Sequence, residues 1–187
     1  LASAMDLFGQ KNFNWATTKE IAEKAGVSER MVFFYFTSKK ELYLEALRQA
    51  FRDMLEGVLR AAPPASDIGT FIKMSERNFV DFFRKNPLTV KLLFQSLDVV
   101  GDLEMMRTLR EIMQGLYDLL YEVLENAQKR GEIREDFHVG TAVVYILGFL
   151  VILTFSELME LGWFSGEHDD VFKIGDILVD FLTGRST

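Results

Sequence analysis

Residues 26–36 read GVSERMVFFYF, and this stretch decides the fold of the N-terminal part of the chain. Its run of apolar and aromatic residues has the composition of a buried strand, so the flanking residues have to decide between strand and helix. Gly26 can adopt the positive φ of a tight turn, and Ser28, two residues later, is a favourable helix N-cap. These two residues predict a short helix over 29–36.

Another short helix is predicted immediately before that turn. Thr17 and Glu20 have the spacing of a capping box, which predicts a helix from about Thr18 to Ala25. Within it, Ala22 is small enough to let the following helix cross closely. Two short helices joined by a three-residue turn form a helix-turn-helix.

The second helix of this pair carries an unusual number of large side chains on its outside. Val32 and Phe36 are four residues apart and can share the inward face. The sides and the outer face then hold Arg30, Met31, Phe33, Phe34 and Tyr35. A helix buried in an ordinary bundle is the alternative, but an apolar outer face behind a capped turn favours a surface that is covered when a partner docks.

The composition of the chain indicates an all-α protein of two domains. It has 187 residues, 49% of them hydrophobic, and only three prolines, while apolar residues recur with helical spacing. Pro63 and Pro64 follow a long helix that begins near Lys39. We therefore expect a small domain over 1–45 and a larger helical domain over 46–187, which includes a connecting helix to about residue 60. The absence of cysteine excludes disulfides and Cys-based zinc sites and fits a cytoplasmic protein.

Charge is distributed unevenly along the chain. The net charge is −7, but residues 1–60 carry nine Lys and Arg against eight Asp and Glu, so the acidic excess lies in the second part. A near-neutral N-terminal region can hold phosphates locally, whereas the acidic part repels a polyanion. The charge pattern therefore permits nucleic-acid binding at one end without requiring it.

Two N-terminal segments, ATTKEIAEKAGVS over 16–28 and FFYFTSKKEL over 33–42, resemble the DNA-binding region of the tetracycline-repressor (TetR) family. The stretch KRGEIRED over 129–136 is similar to part of that family's second domain. The resemblance implies double-stranded DNA as a partner, with helix 29–36 in the major groove. The DNA-contacting residues that it implies are Thr17, Thr18, Lys19, Ser28, Glu29, Arg30, Met31, Phe33, Phe34, Tyr35 and Lys39.

Physical chemistry agrees with several of these implied roles. Helix N-termini present free N–H groups to phosphates, and Lys19 and Lys39 add cations at the starts of two helices. Met31 and Phe33 depart from the family pattern, since members often have Thr or Ser at the first position and Tyr at the second. Because these hydroxyl groups are missing, we expect base recognition to depend on Arg30, Tyr35 and apolar contact with thymine methyl groups.

The larger domain is rich in Phe and Met. We predict helices at about 67–86, 87–98, 102–130, 139–161 and 167–183. Their bulky, adaptable side chains can line a pocket for a small apolar or amphipathic effector, although core packing is the plainer interpretation of such a stripe. The candidate pocket residues are Phe79, Phe82, Phe83, Phe94, Met106, Met113, Tyr117 and Phe149.

Residues 139–156 contain no charged side chain and are just long enough to span a membrane. Acidic flanks and the lack of an orienting basic cluster argue against a span. We expect instead a helix buried on two sides, one against its own domain and one against a second copy of the chain, as the resemblance also implies. The candidate homodimer residues are Val144, Gly148, Phe155, Ile174, Ile177, Leu178 and Phe181.

The sequence predicts no catalytic centre, metal site or cofactor. His138 and His168 are far apart, and the acidic run at 167–170 suits the first turn of a helix better than a metal ion. The predicted function is therefore a cytoplasmic, homodimeric regulator of transcription, most simply a repressor released from a near-palindromic operator by its effector. A helical enzyme, or a small-molecule or lipid-binding protein without DNA binding, is the alternative.

Overall fold

The computed structural model describes residues 1–59, 67–96, 102–159, 161 and 172–184. Every regular element among them is a helix, which confirms the all-α class and the N-terminal helix-turn-helix. The helices are α1 (Ala2–Trp15), α2 (Thr18–Ala25), α3 (Glu29–Tyr35), α4 (Lys39–Leu59), α5 (Ile68–Lys85), α6 (Pro87–Gln95), α7 (Leu103–Lys129), α8 (Val139–Leu158) and α9 (Phe172–Thr183).

The described residues of 1–55 and 84–112 form one compact unit. In it α1 packs against α2 and α6, and α2 packs against α3. Gly9 makes the contact with α6 possible, because a Cβ atom at this position would lie 2.3 Å from the Leu88 carbonyl oxygen. The core of this unit includes Phe8, Ile21, Ala22, Val32, Leu42, Tyr43, Leu47, Leu92 and Met105.

The first helix continues further than the sequence predicts. The composition of Gly9 to Trp15 predicts a turn-rich end to the first helix. The structure instead keeps this segment helical to Trp15, except for a single break at Asn12, whose φ is 59° and ψ 176°. The Asn12 side-chain oxygen accepts a 3.0 Å hydrogen bond from the Asn14 backbone N–H, which stabilises this break locally. Gly9 itself remains helical and provides space for α6.

The described residues of 56–83 and 113–187 form the other compact unit. Its core includes Ile68, Leu124, Ala127, Ile133, Val139, Val143 and Leu182. The segment after α7 holds several elements together: Glu132 Oε2 accepts a 2.7 Å hydrogen bond from the Ile68 N–H at the start of α5. The Arg134 N–H donates to the Leu182 carbonyl of α9 at 3.1 Å.

Apart from the end of α1, the described helix ends agree with the predicted ones to within three residues. Asp67 lies before α5 as its cap, since its Oδ1 accepts a 3.1 Å hydrogen bond from the Thr70 N–H. Phe36 is the C-cap of α3 rather than its last residue. The predicted extensions of α6 over 97–98 and of α9 over 167–171 lie outside the described residues.

The compact units do not follow a linear division of the chain at residue 45. Leu92 of α6 and Met105 of α7 complete the core beneath α1–α4. The assignment of DNA binding to 1–45, and of effector binding and dimerisation to 46–187, stays a prediction about function.

Candidate nucleic-acid interface

Local hydrogen bonds fix the turn between α2 and α3. The Thr17 Oγ1 atom accepts from the Glu20 N–H at 3.2 Å, and Glu20 Oε2 accepts from the Thr17 N–H at 3.1 Å, which completes the predicted capping box. Gly26 adopts a left-handed conformation with φ 68° and ψ 28°. Ser28 Oγ then accepts from the Met31 N–H at 3.2 Å and starts α3. The predicted caps and turn are confirmed.

The two faces of α3 differ sharply in exposure. Val32 is 7% exposed, and Phe36 packs against the core beside it. On the outer face Phe34 is 78% exposed and Tyr35 67%, with their rings edge to face at 5.2 Å. Met31 and Phe33 are also exposed. The short helix therefore presents a row of large apolar and aromatic side chains to solvent.

Free cations border this row. Lys19 and Arg30 are exposed, and neither forms an ion pair within the part of the chain that the structure describes. Other nearby cations are neutralised by acids: Lys11 pairs with Glu20, Lys24 with Asp6, and Lys40 with Asp102 and Glu104. Hydrogen bonds to Asp102 and Glu104 raise the pKa of Lys40. Lys19 and Arg30 are therefore available to an anionic partner beside α3.

Lys39 makes contacts within its own chain, whereas the sequence predicts a contact with a phosphate. Its Nζ donates a 3.3 Å hydrogen bond to the Asn14 carbonyl and lies 4.7 Å from the centroid of the Phe13 ring. Burial lowers the pKa of Lys39. The side chain thus ties the start of α4 to the segment before α2, and its contact with a phosphate stays a prediction.

Sequence reasoning missed Trp15 in this region. The side chain is 76% exposed and lies two residues before the Thr17 cap. A large aromatic residue two positions before a predicted helix N-cap was the available signal.

The candidate pocket residues are only partly brought together. Phe79, Phe82 and Phe83 are buried on α5, and the rings of Phe79 and Phe83 lie 4.3 Å apart. Tyr117 and Phe149 are half-buried in the same compact unit, whereas Met113 is 39% exposed. Two other candidates, Phe94 and Met106, belong to the first compact unit.

Exposed apolar side chains occur on both α8 and α9. They are Val144, Tyr145, Val151, Ile152, Phe155, Ile177 and Phe181. Gly148 is exposed, with no atom within 4 Å of where a Cβ would lie, and Leu178 is half-buried. The side chain of Ile174 lies outside the described residues.

The same helix satisfies the length and composition expected of a membrane span. Residues 139–156 form the candidate, and 33% of this window is buried. A core or interface helix of a soluble protein meets the same criteria.

The described residues contain no group of three or more His, Asp or Glu side chains that could hold a metal ion. The acidic run at 167–170 lies outside the described residues. The interface around α3 therefore remains the clearest candidate site.

Comparisons with known proteins relate the N-terminal part of the chain to a known family. The family model described as "Bacterial regulatory proteins, tetR family" matches residues 1–46. The transcriptional activator FasR of Mycolicibacterium smegmatis is 25% identical over 124 residues, which cover 66% of this chain and 56% of FasR. The regulator RutR of Escherichia coli K12 is 45% identical over 49 residues, which cover 26% of this chain and 23% of RutR. These alignments therefore cover little more than half of FasR and about a quarter of RutR.

A longer alignment joins the chain to the "Fatty acid metabolism regulator protein" of Bacillus subtilis, which is 23% identical over 184 residues, covering 96% of this chain and 90% of that protein. Among solved structures, FadR from Bacillus halodurans superposes with a TM-score of 0.79 at 16% identity, covering 100% of this chain and 97% of that one. FadR from B. subtilis in complex with stearoyl-CoA gives 0.78 at 16% identity, with coverage of 100% and 97%. The structural likeness shows a shared fold, and the relatives are named as regulators rather than enzymes. The capped helix-turn-helix and the family match together identify residues 1–46 of this chain with the tetR family of bacterial regulatory proteins.

Proposed function

We propose that the chain is a DNA-binding regulator of transcription whose α3 enters the major groove of an operator. The observation that carries this proposal is the outer face of α3, where Phe34 and Tyr35 are largely exposed behind a turn fixed by two caps. A rigid helix with large exposed side chains is suited to a surface that DNA covers.

Charges and helix ends supply the remaining parts of the interface. Lys19 follows the N-terminus of α2, where free N–H groups favour a phosphate, and it has no partner among the described residues. Arg30 lies in the first turn of α3 and is unpaired within the same part of the chain. We assign base contacts to Arg30 and Tyr35, phosphate contacts to Lys19, and apolar contacts to Met31 and Phe33.

We further propose that two copies bind a near-palindromic operator. The exposed apolar side chains of α8 and α9 would remain wet in a monomer, and a two-fold axis through them lets each copy cover the other. The recognition helices of such a dimer must lie about 34–36 Å apart, which is one turn of DNA. Such a regulator acts on chromosomal DNA in the cytoplasm.

The effector that we propose is a small apolar or amphipathic molecule that releases the protein from DNA. Support comes from the buried Phe79, Phe82 and Phe83 on α5, from a relative named for fatty acid metabolism, and from a protein of the same fold solved with stearoyl-CoA. An effector that binds one arrangement of the helices more tightly shifts the protein toward that arrangement. The operator affinity then changes by at most the effector's difference in affinity for the two arrangements. Because the proposed effector releases the protein from its operator, the regulator acts as a repressor when it is bound to DNA.

Selection of bound sequences from a random duplex pool tests DNA binding directly. We expect a near-palindrome, and Arg30→Ala should relax preference at particular base pairs by roughly 1–3 kcal/mol. Lys19→Ala is the matched variant of a residue assigned to phosphate. It should weaken binding to all duplexes alike and lower by about one unit the slope of log K against log salt concentration. Failure to enrich any sequence with the wild-type chain would contradict the proposed function.

A further inference from the structure

Trp15 is among the most exposed large side chains of the described structure, at 76%. An exposed indole leaves a large apolar surface in water, which burial against a partner would stabilise. The local helix does not require this residue, since it is the last of α1 and its neighbour Ala16 fills the core instead.

The backbone that carries Trp15 is held firmly. Asn12 Oδ1 accepts hydrogen bonds from the N–H groups of Asn14 at 3.0 Å and Trp15 at 3.4 Å. The Asn14 carbonyl in turn accepts from Lys39 Nζ at 3.3 Å, and Ala16 is fully buried. The exposed ring therefore extends from a braced segment, so covering it costs little backbone entropy.

The position of Trp15 indicates which partner covers its ring. Trp15 lies two residues before the Thr17 cap and four before Lys19, which has no partner among the described residues, at the N-terminus of α2. In the proposed function this edge faces phosphates, so the duplex already reaches the neighbouring residues. An indole has the required chemistry, since its flat apolar face can pack on deoxyribose and its Nε1–H can donate to a phosphate oxygen.

We propose that Trp15 belongs to the DNA interface, where its ring packs against the sugar–phosphate backbone beside the N-terminus of α2 and donates a hydrogen bond to a phosphate. This inference rests on the proposed DNA binding and adds a contact outside the helix-turn-helix itself. The contact positions the protein on the duplex and does not read bases.

Tryptophan fluorescence of the full chain tests the contact. The chain has two tryptophans, so Trp163→Phe leaves Trp15 as the single indole emitter. On addition of a selected duplex, Trp15 emission should change, and its quenching by acrylamide should fall by about half as DNA covers the ring. If emission and quenching stay unchanged while the anisotropy of a labelled duplex shows full binding, the Trp15 contact is overturned and DNA binding stands. Absence of binding to any duplex would instead defeat the proposed function.

Substitution supplies an independent test. Trp15→Ala should raise the Kd for selected and unrelated duplexes by about tenfold alike, and Trp15→Phe should recover part of the loss. The matched control is Tyr121→Ala, an exposed aromatic residue on α7, which should leave the Kd unchanged. Equal thermal unfolding of the Trp15 variants and the wild type excludes a folding defect. A Kd unchanged in Trp15→Ala would overturn the proposal.

Discussion

The Thr18 hydroxyl donates a 2.6 Å hydrogen bond to the Glu29 carboxylate and so joins the first turn of α2 to the first turn of α3. The bond ties the two helices of the helix-turn-helix together at the surface assigned to DNA. It also explains how an acid is tolerated there: the N-terminus of α3 and the Thr18 hydroxyl both stabilise the negative charge. Thr18 and Glu29 therefore organise the interface, and direct DNA contact by either stays a prediction.

Removing this hydrogen bond should loosen the angle between the two helices. Thr18→Val keeps the side-chain shape but lacks the donor, and we expect it to cost about 0.5–1.5 kcal/mol of unfolding free energy. Glu29→Ala removes the acceptor and tests the same bond from its other side. Urea unfolding of both single variants and the double variant measures the coupling energy. Strict additivity of the two changes would show that the bond contributes nothing.

The exposed surface of α8 predicts a specific effect of charge at Gly148. Gly148→Arg places a large cation in the presumed contact between copies, so we expect monomers with weak operator binding although α1–α3 are unchanged. Gly115→Arg is the matched control, because Gly115 is exposed on α7 with no atom near the place of a Cβ. Sedimentation and operator binding measure both effects. A Gly148→Arg protein that remains dimeric and binds normally would move the interface elsewhere.

The close approach of α1 and α6 makes Gly9 intolerant of a side chain. A Cβ atom would meet the Leu88 carbonyl oxygen at 2.3 Å, and backbone cannot rotate away as a side chain can. We expect Gly9→Ala to reduce the unfolding free energy by about 1–3 kcal/mol. In contrast, Gly115→Ala should stabilise by about 0.5–1 kcal/mol, because alanine favours the helix and meets nothing there. Equal effects of the two changes in denaturant unfolding would contradict the close packing of α1 on α6.

Glu76 makes stability depend on pH. It is 8% exposed, its Oε1 has no hydrogen-bond partner among the described residues, and burial raises its pKa from 4.5 to about 7. The neighbouring Asp176 raises the pKa further, whereas a hydrogen bond from the Gly175 backbone and the charge of Arg77 lower it. Because the folded state holds this proton more tightly than the unfolded state, stability falls as pH rises from about 4.5 to about 7.

Glu76→Gln removes that titration while retaining the shape of the side chain. Its stability advantage over the wild type should grow across this pH range to a plateau on the order of 1–3 kcal/mol above pH 7. Urea unfolding at pH 5 and pH 8 measures the difference. The exposed Glu122→Gln is the control and should show no such growth. A Glu76→Gln advantage that is independent of pH would show that Glu76 ionises normally in the folded protein.

The helix-turn-helix could be predicted because its signals are local. The Thr17 box, the Gly26 turn and the Ser28 cap each act within four residues, so the same hydrogen bonds form wherever the segment folds. The inward placement of Val32 follows from helical periodicity alone. The proposed roles of the outer residues depend on DNA, so neither sequence nor fold tests them.

The chain by itself thus determined the helices, the position of the turn and the exposed row on α3, because short-range capping and periodicity specify them. Only the tertiary structure decided which groups are available to a ligand. Lys39 is held by Asn14, 25 residues away. α1 remains helical at Gly9, where the local composition indicates a turn, and the missing side chain lets α6 approach. The exposure of Trp15 and the burial of Glu76 likewise depend on which distant elements pack beside them. Such contacts join residues remote in sequence, and no local pattern encodes their approach.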